Sequence, residues 1–247
     1  MASEYLKWKY RDVKPDEPPP ELTGKEKLAN WFHYHKWWIV VWAFLLLSVG
    51  SILWSALGIG KVRPDYVFAY VGDTALPDGC AAALEDALAA LGQDVNGDGR
   101  VVVELRQYVS NANLDSSEDT LMYGYAADVT LIADITNGDS YFFLMEDPEG
   151  FQKAWQILAG PDGSMPEDGD RSIGGKAFRW SGCPVLAGLE LGGYEAKYPD
   201  QSVITGDNQE LLSGLYLGRR GFYDEKQAAK QGTNEALWEI LTEGAVS

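Results

Sequence analysis

The feature that most constrains this chain is an uncharged apolar stretch from Trp37 to Ile59, WWIVVWAFLLLSVGSILWSALGI. As a helix rising about 1.5 Å per residue, it is long enough to cross the hydrocarbon core of a bilayer, which is about 30 Å thick. Trp42 and Trp54 lie toward opposite ends of the stretch, where indole rings settle at the two membrane interfaces. The sequence therefore predicts a transmembrane helix.

Two other interpretations of this stretch fit less well. A buried core helix of this length would carry a polar stripe, which the stretch lacks. A cleaved signal peptide begins with a short basic region and ends at small residues, whereas about 36 residues come first here and the sequence Trp54-Ser55-Ala56-Leu57 does not match a cleavage site. We interpret the stretch as an uncleaved signal anchor.

The basic residues beside the span predict its orientation. Those that precede it are Lys7, Lys9, Arg11, Lys14, Lys25, Lys27 and Lys36. Only Lys61 and Arg63 follow closely, so we expect a single-pass protein of the cell membrane with a cytoplasmic N-terminus and an extracytoplasmic C-terminal domain. The five residues between Ile59 and Asp65, at about 3.5 Å each, would hold that domain close to the lipid surface.

The sequence predicts three segments. Residues 1–24 form a disordered, Pro-rich cytoplasmic tail, because VKPDEPPP at positions 13–20 has no apolar periodicity. Residues 25–60 form an interfacial helix that continues into the span and begins at a capping box of Thr23 and Glu26. Residues 61–247 form one exported domain with thirteen basic and thirty-one acidic residues. A domain of this charge repels phosphate backbones, so we expect no nucleic-acid partner.

The exported segment is predicted to be an α/β domain. Its first half alternates between a strand at Asp65–Val71, a helix with Leu84, Leu88 and Leu91 on one face, a strand at Val101–Tyr108, a helix at Glu118–Ala126 and a strand at Asp128–Ile135. The last of these strands is almost wholly apolar, as in strands that are buried on both faces. This order predicts a mostly parallel (mixed) sheet that is flanked by helices and joined by right-handed crossovers.

The second half of the exported segment has weaker patterns. They predict a strand at Tyr141–Met145, a helix at Pro148–Leu158, a loop at 159–175, a short strand at Pro184–Leu191, a strand at Leu211–Gly218 and a final helix with Leu237, Ile240 and Leu241 on its apolar face. There is no internal repeat and no second linker, so we expect one exported domain.

The loop DVNGDGRV, which begins at Asp94, matches the start of a calcium-binding loop. Oxygens of Asp94, Asn96 and Asp98 and the backbone carbonyl of Arg100 are spaced to converge on Ca²⁺. The twelfth position is Leu105 rather than a bidentate Glu. A complete site would therefore need a further carboxylate, for which the candidates are Asp115, Glu118 and Asp119. The alternative is a helix-to-strand turn in which these residues supply side-chain caps and positive φ angles.

Cys80 and Cys183 are the only cysteines, and both lie in the exported segment, where disulfides persist. A bridge between them would close a loop of about 100 residues and stabilise the fold by several kcal/mol. The alternative is two separate, small buried residues. The sequence leaves both possibilities open.

The absence of histidine from the exported segment restricts its chemistry. His33 and His35 both precede the span, so neither a Ser-His-Asp or Cys-His pair nor a His-rich zinc site can be assembled from residues 61–247. This disfavours an enzyme and provides no catalytic candidate of that type. Paired carboxylates remain possible. The best candidates lie near predicted strand ends: Asp134, Asp139, Glu146 and Asp147.

Two further charged groups allow either a functional or a structural interpretation. Arg219 and Arg220 follow the last predicted strand, where they either grip an anionic group or pair with nearby acids. The acids of the long loop form either a site or a solvated surface, and they are Asp162, Glu167, Asp168 and Asp170. We favour the structural interpretation for both groups.

Two parts of the chain resemble known proteins. The passage Asn30–Trp37, NWFHYHKW, resembles the entry to the anchor in uncharacterised single-pass membrane proteins of clostridial-type Gram-positive bacteria. The order of the DVNGDGRV loop, a strand and the sequence LMYGYAADVTLIADI is similar to one lobe of a type 2 periplasmic (solute) binding protein. This resemblance covers about residues 65–160 and implies ligand binding at the carboxyl ends of strands.

From these features we expect a membrane-anchored extracytoplasmic binding or interaction module. Its partners would be the lipid bilayer and a membrane protein complex such as a transporter. The sequence does not identify its ligand. The alternatives are a calcium-dependent carbohydrate-active enzyme that uses paired carboxylates and a structural protein of the cell envelope.

Overall fold

The computed structural model describes residues 2–9, 11, 23–56, 62–110, 118–197 and 203–246. The chain forms two compact units, residues 1–61 and residues 62–247. Of the segment predicted to be disordered, residues 1–24, residues 2–9 instead form a helix, and its Pro-rich part at positions 13–20 lies outside the described residues.

The first unit contains two helices, α1 (Ala2–Lys9) and α2 (Gly24–Ala56). The α2 helix begins at the predicted capping box, where the backbone N–H of Thr23 donates to a carboxylate oxygen of Glu26 at 2.8 Å. The most apolar 18-residue window within Gly24–Trp54 has a mean hydropathy of 2.0, and none of its residues is buried in the protein. By length and composition, this helix is able to span a membrane.

The second unit is built on seven strands and seven helices among its described residues. The strands are β1 (Tyr66–Gly72), β2 (Val103–Val109), β3 (Phe142–Met145), β4 (Ala177–Arg179), β5 (Gly193–Lys197), β6 (Val203–Asp207) and β7 (Tyr216–Arg219). The helices are α3 (Asp78–Ala89), α4 (Glu118–Asn137), α5 (Pro148–Trp155), α6 (Pro184–Ala187), α7 (Asn208–Leu212), α8 (Glu225–Ala228) and α9 (Gly232–Leu241). Short 3₁₀ turns lie at Trp180–Gly182 and Ala229–Gln231.

The main sheet has five strands in the order β2-β1-β3-β7-β4. The β1 strand is parallel to β2 and β3, with Phe68 opposite both Leu105 and Phe142. The β7 strand is antiparallel to β3 and β4, so the sheet is mixed. Strands β5 and β6 form a separate antiparallel pair. The predicted α/β class with a mixed sheet flanked by helices is confirmed. The main sheet is not mostly parallel as predicted, because two of its four strand pairings are antiparallel.

Each face of the main sheet has its own apolar core. On one face, Phe68 and Tyr70 of β1 belong to a cluster with Leu84 of α3 and Leu237 of α9. On the other face, the cluster contains Ala69, Phe143, Leu131 of α4 and Phe151 of α5. Alternate residues of one strand point to opposite faces, so the sheet is covered on both sides. Helices α3 and α9 cover one side, and α4 and α5 cover the other.

The predicted strand at Asp128–Ile135 is wrong, because these residues lie within α4. Leu131 and Asp134 are buried on its inner face, whereas Val129 and Ile132 are exposed on its outer face. Apolar residues on both sides of a helix imitate the continuous apolar run of a buried strand. The sequence pattern therefore did not separate the two structures.

Two predictions in the second half also need correction. The strand expected at Pro184–Leu191 is instead the short helix α6, which begins with Pro184 at its first position, where the missing N–H of proline carries no penalty. The strand expected at Leu211–Gly218 is divided, because α7 ends at Leu212 and β7 begins at Tyr216. Asp207 caps α7 by accepting a hydrogen bond from the N–H of Glu210 at 3.0 Å.

Candidate functional site

A cleft opens at the carboxyl ends of the three parallel-paired strands. Gly72 ends β1, Ser110 follows β2 and Glu146 follows β3, and all three residues line it. After β1 the chain passes to α3 on one face of the sheet, and after β2 it passes to α4 on the opposite face. In an open α/β sheet, strands whose connections leave toward opposite faces form a crevice at their carboxyl ends. The cleft lies at such a place.

The cleft has an acidic rim and an apolar wall, and its volume is about 210 Å³. The rim carries the side chains of Asp73, Ser110, Asp128, Glu146 and Asp147. The wall is formed by Val71, Leu131, Phe151 and Trp155, with the ring of Tyr108 beside them. Among the described lining residues, none is Lys or Arg. The electrostatic potential of the cleft is therefore negative, and it favours a cation.

Glu146 joins the ends of β1 and β3. Its carboxylate accepts hydrogen bonds from the hydroxyl of Tyr70 at 2.6 Å and from the backbone N–H of Asp73 at 2.8 Å. The Tyr70 hydroxyl also lies 2.7 Å from the carbonyl oxygen of Thr74. Burial, followed by the adjacent Glu146 carboxylate, raises the pKa of Tyr70 far above its usual value. Tyr70 therefore stays protonated and fixes the position of Glu146.

Asp73 and Ser110 join the ends of β1 and β2 in the same way. The hydroxyl of Ser110 donates to a carboxylate oxygen of Asp73 at 2.7 Å, and its N–H donates to the carbonyl of Gly72 at 3.0 Å. Gly72 itself is closely surrounded, since a Cβ atom there would lie 2.5 Å from the hydroxyl of Tyr70 and 2.7 Å from Cδ of Glu146. The rim at this position is compatible only with glycine unless its neighbours move.

The remaining two acids of the rim come from helices. Asp147 is the N-cap of α5 and accepts a hydrogen bond from the N–H of Gly150 at 2.9 Å, and Pro148 occupies the first turn, where it is favoured. Asp128 lies on α4 and is exposed. Glu146 and Asp147 are exposed as well, but their carboxylates already accept hydrogen bonds from the protein, so Asp128 is the rim acid best placed to meet a ligand directly.

The predicted calcium loop is folded mainly by its own side chains. The N–H groups of Gly97 and Gly99 donate to the two carboxylate oxygens of Asp94 at 2.6 and 2.8 Å. Asn96 accepts from the N–H of Asp98, and Asp98 accepts from the N–H of Arg100. Gly97 and Gly99 have φ angles of 74° and 86°. These are the side-chain caps and positive φ angles that the turn interpretation expected.

A residue that the sequence analysis missed anchors this loop. Asp65 precedes β1, and its carboxylate accepts from the N–H groups of Val95 and Asn96, at 2.8 and 3.0 Å, and of Val102, at 2.8 Å. No group of three or more His, Cys, Asp or Glu side chains is placed to hold a metal ion within the described parts of the chain. Asp115 and the side chains of Glu118 and Asp119, which were candidates for a further ligand, lie outside those parts. Calcium binding by the loop stays a prediction.

Cys80 and Cys183 are both fully buried in the core between the sheet, α3 and α9. Both are free thiols in this structure, and a bridge between them stays a prediction. Burial raises the pKa of each thiol to about 11. The thiolate, which is the reactive form, is therefore scarce at neutral pH.

Of the four carboxylates near predicted strand ends, the structure places Glu146 and Asp147 in the cleft. Asp134 is not there, because it is buried at the end of α4, where it accepts from the hydroxyls of Tyr108 and Ser140 at 2.6 and 2.7 Å. Arg106 lies 3.4 Å from carboxylate oxygens of both Asp134 and Asp139. These contacts assign Asp134 and Asp139 to a network that fixes α4 against the sheet.

The two arginines after β7 have structural partners. Arg219 is buried, forms an ion pair with Glu235 and donates to the carbonyl of Pro161 at 2.9 Å. Arg220 donates to the carbonyl of Ile135, near the C-terminus of α4, where a positive charge is favourable. Both contacts agree with the structural interpretation made from the sequence.

The acidic loop is also tied to the fold. Asp170 forms an ion pair with Lys176, a buried residue, and accepts from the hydroxyl of Ser172 at 2.7 Å. Asp162 accepts from the hydroxyl of Ser164 at 2.6 Å. Glu167 and Asp168 are exposed. This loop does not contribute to the cleft.

Comparison with known proteins gives no relative. No family model, no curated protein and no solved structure matches the chain.

Proposed function

We propose that this chain is a membrane-anchored extracytoplasmic binding module whose cleft takes a small ligand with a positively charged group. The proposal depends on one observation, the acidic cleft at the carboxyl ends of β1, β2 and β3. Ligand sites in α/β proteins lie at this edge of the sheet.

The walls of the cleft support the ligand class. A cationic group gains electrostatically from Asp128 and Glu146 on the rim. The rings of Trp155 and Phe151 offer the apolar and cation-π contacts that organic ammonium ions favour. A volume of about 210 Å³ fits a small amine better than a polymer chain.

The long apolar α2 helix supports the anchored part of the proposal. Its length and hydropathy suit a membrane span, and the excess of Lys and Arg before it supports a cytoplasmic N-terminus. A ligand-binding domain that is joined to its anchor by a short linker is suited to work beside a membrane complex such as a transporter.

The binding proposal is tested on the full chain in detergent micelles. The probes are ethanolamine, choline and spermidine, with glycerol and acetate as neutral and anionic counterparts. We expect at least one amine to raise the unfolding midpoint of residues 62–247, since a ligand that binds only the native state stabilises it. If no amine does so, or if acetate acts as strongly as the amines, the proposed ligand class is wrong.

A matched pair of variants locates the site. Asp128→Asn removes a charge from the rim, and we expect it to weaken binding of the active amine about tenfold, or about 1.4 kcal/mol. Glu149→Gln removes an exposed charge from α5, outside the cleft, and should leave the affinity unchanged. Equal effects of the two substitutions would show that only the general charge of the domain attracts the amine.

The topology is tested with introduced cysteines, because both native thiols are buried. Tyr223→Cys replaces a side chain that is 81% exposed in the second unit, and Trp8→Cys replaces one that is 69% exposed in the first. In intact cells, a membrane-impermeant maleimide should label position 223 and should label position 8 only after permeabilisation. The reverse pattern would refute the extracytoplasmic location.

A further inference from the structure

The outer face of α4 carries a continuous apolar stripe. Met122, Tyr125, Val129 and Ile132 are exposed by 65%, 70%, 64% and 45%, and their spacing places them on one side of the helix. Leu131 and Asp134, on the opposite side, are buried against the sheet. We call these four exposed residues the α4 stripe.

Helices α3 and α5, which also cover the main sheet, have no such stripe on their exposed sides. The exposed positions of α3 include Ala82 and Asp86, and those of α5 include Glu149 and Lys153, which is the usual small or polar outer face of a surface helix. A helix that is apolar on both sides is typical of positions that are covered on both sides, and contiguous exposed apolar patches mark interaction sites.

We propose that the α4 stripe is the docking surface for a different protein whose apolar contact is flanked by Lys and Arg. The α4 helix contains no Lys or Arg, and Asp128 is exposed among its described acidic side chains. Residues 61–247 have thirty-one acidic and thirteen basic residues. A basic partner complements this charge and is steered toward it.

The same charges disfavour the two other occupants of such a stripe. A second copy would bring two strongly acidic domains together, and like charges across an interface weaken it. A membrane surface rich in anionic lipid attracts basic segments, which α4 does not provide. A basic protein surface is therefore the occupant that the charges favour.

The α4 stripe is a separate site from the proposed ligand site, but both lie on the α4 helix. Ala127, Asp128 and Leu131 of the same helix line the cleft, whereas the four stripe residues do not. A partner seated on the stripe would therefore contact the helix that forms one wall of the cleft. The two sites are tested by different substitutions, so either proposal can fail alone.

The test uses photocrosslinking of the full chain in the cells that naturally produce it. p-Benzoylphenylalanine replaces Val129 in the stripe and, as the matched control, Thr130, which is exposed on another side of α4. We expect an adduct from position 129 and none from position 130. Mass spectrometry of the crosslinked peptide should identify a protein other than this chain, with Lys or Arg beside the contact.

Charge substitution at Tyr125 then tests the chemistry of the partner independently of its identity. Tyr125→Lys and Tyr125→Glu both remove the exposed ring, but only the lysine repels a basic partner. We expect the lysine variant to give about tenfold less adduct than the glutamate variant, since like charges across an interface are unfavourable. Equal losses, an adduct with a second copy, an adduct with lipid only, or no adduct at position 129 would each overturn the proposal.

Discussion

The loop at Asp94–Arg100 and the cleft at the carboxyl edge of the sheet are both rich in acids, but they use them differently. In the loop, Asp94 accepts backbone N–H groups through both of its carboxylate oxygens. In the cleft, Asp73, Glu146 and Asp147 also accept hydrogen bonds from the protein, but Asp128 is exposed at the rim of a cavity with aromatic walls. The acids of this contiguous motif therefore accept hydrogen bonds within their own turn, which Asp65 ties to the start of β1. The cavity is instead assembled from segments that are distant in the sequence.

The largest effect is expected at the base of the loop. Asp65→Ala removes a carboxylate that accepts three backbone N–H groups, and a hydrogen bond to a charged group contributes about 1.5–3 kcal/mol. We expect the free energy of unfolding to fall by about 3 kcal/mol, measured by urea denaturation of the full chain in micelles. Asp86→Ala, at an exposed position of α3, is the control and should change it by less than about 0.5 kcal/mol.

In the cleft, we expect a substitution at Gly72 to lower the free energy of unfolding more than removal of a rim charge does. Gly72→Ala places a Cβ 2.5 Å from the hydroxyl of Tyr70 and 2.7 Å from Cδ of Glu146, which is too close without displacement of both side chains. Overpacking of this kind costs about 1–3 kcal/mol, so we expect a loss of about 2 kcal/mol together with weaker amine binding. Gly79→Ala, which meets nothing within 4 Å, is the matched control. If both variants were equally stable, the inference that Tyr70 and Glu146 leave no room for a side chain at position 72 would be wrong.

Several elements could be predicted from the sequence because their residues have one buried and one exposed side. The β2 strand follows the alternation of Val103 and Leu105 with Glu104 and Arg106. The α3 helix follows Leu84 and Leu88, which are both buried. In α4 this contrast is absent, because the outer stripe is as apolar as the inner face. Its second half was therefore mistaken for a strand.

The cleft could be predicted only in part. Glu146 and Asp147 were identified because they follow a strand, and that signal also applies to Asp73 and Ser110, which follow β1 and β2. Asp134 was misplaced because its helix was interpreted as a strand. The antiparallel pairing of β7 with β3 joins residues more than 70 positions apart, and no local pattern encodes such a contact.

A smaller effect is expected within the loop itself. Asp94→Ala removes the acceptor for the N–H groups of Gly97 and Gly99, and the loss of a comparable side-chain cap costs about 1 kcal/mol. If the turn interpretation is right, the urea midpoint should fall by the same amount in calcium and in a chelator. If calcium instead stabilised the unsubstituted chain but not the Asp94→Ala variant, the loop would be a metal site. Its acids would then bind a ligand, as we propose for the cleft.

The smallest effect is expected in the acidic loop at 159–175. Here, as in the loop at Asp94–Arg100, an acidic side chain stabilises the fold, and in this loop it is Asp170. Hydrogen bonds from Lys176 and Ser172 lower the pKa of Asp170 to about 2. A carboxylate whose pKa is lower in the folded state stabilises that state above its unfolded pKa of about 3.9, and this contribution is lost as the pH falls toward the folded value.

The stability difference between the unsubstituted chain and Asp170→Asn should therefore be constant above about pH 4 and shrink between about pH 4 and pH 2. Urea midpoints of both proteins across this range would measure it, with Asp168→Asn, an exposed neighbour, as the control. A difference that stayed constant down to pH 2 would mean that the ionisation of Asp170 does not stabilise the loop.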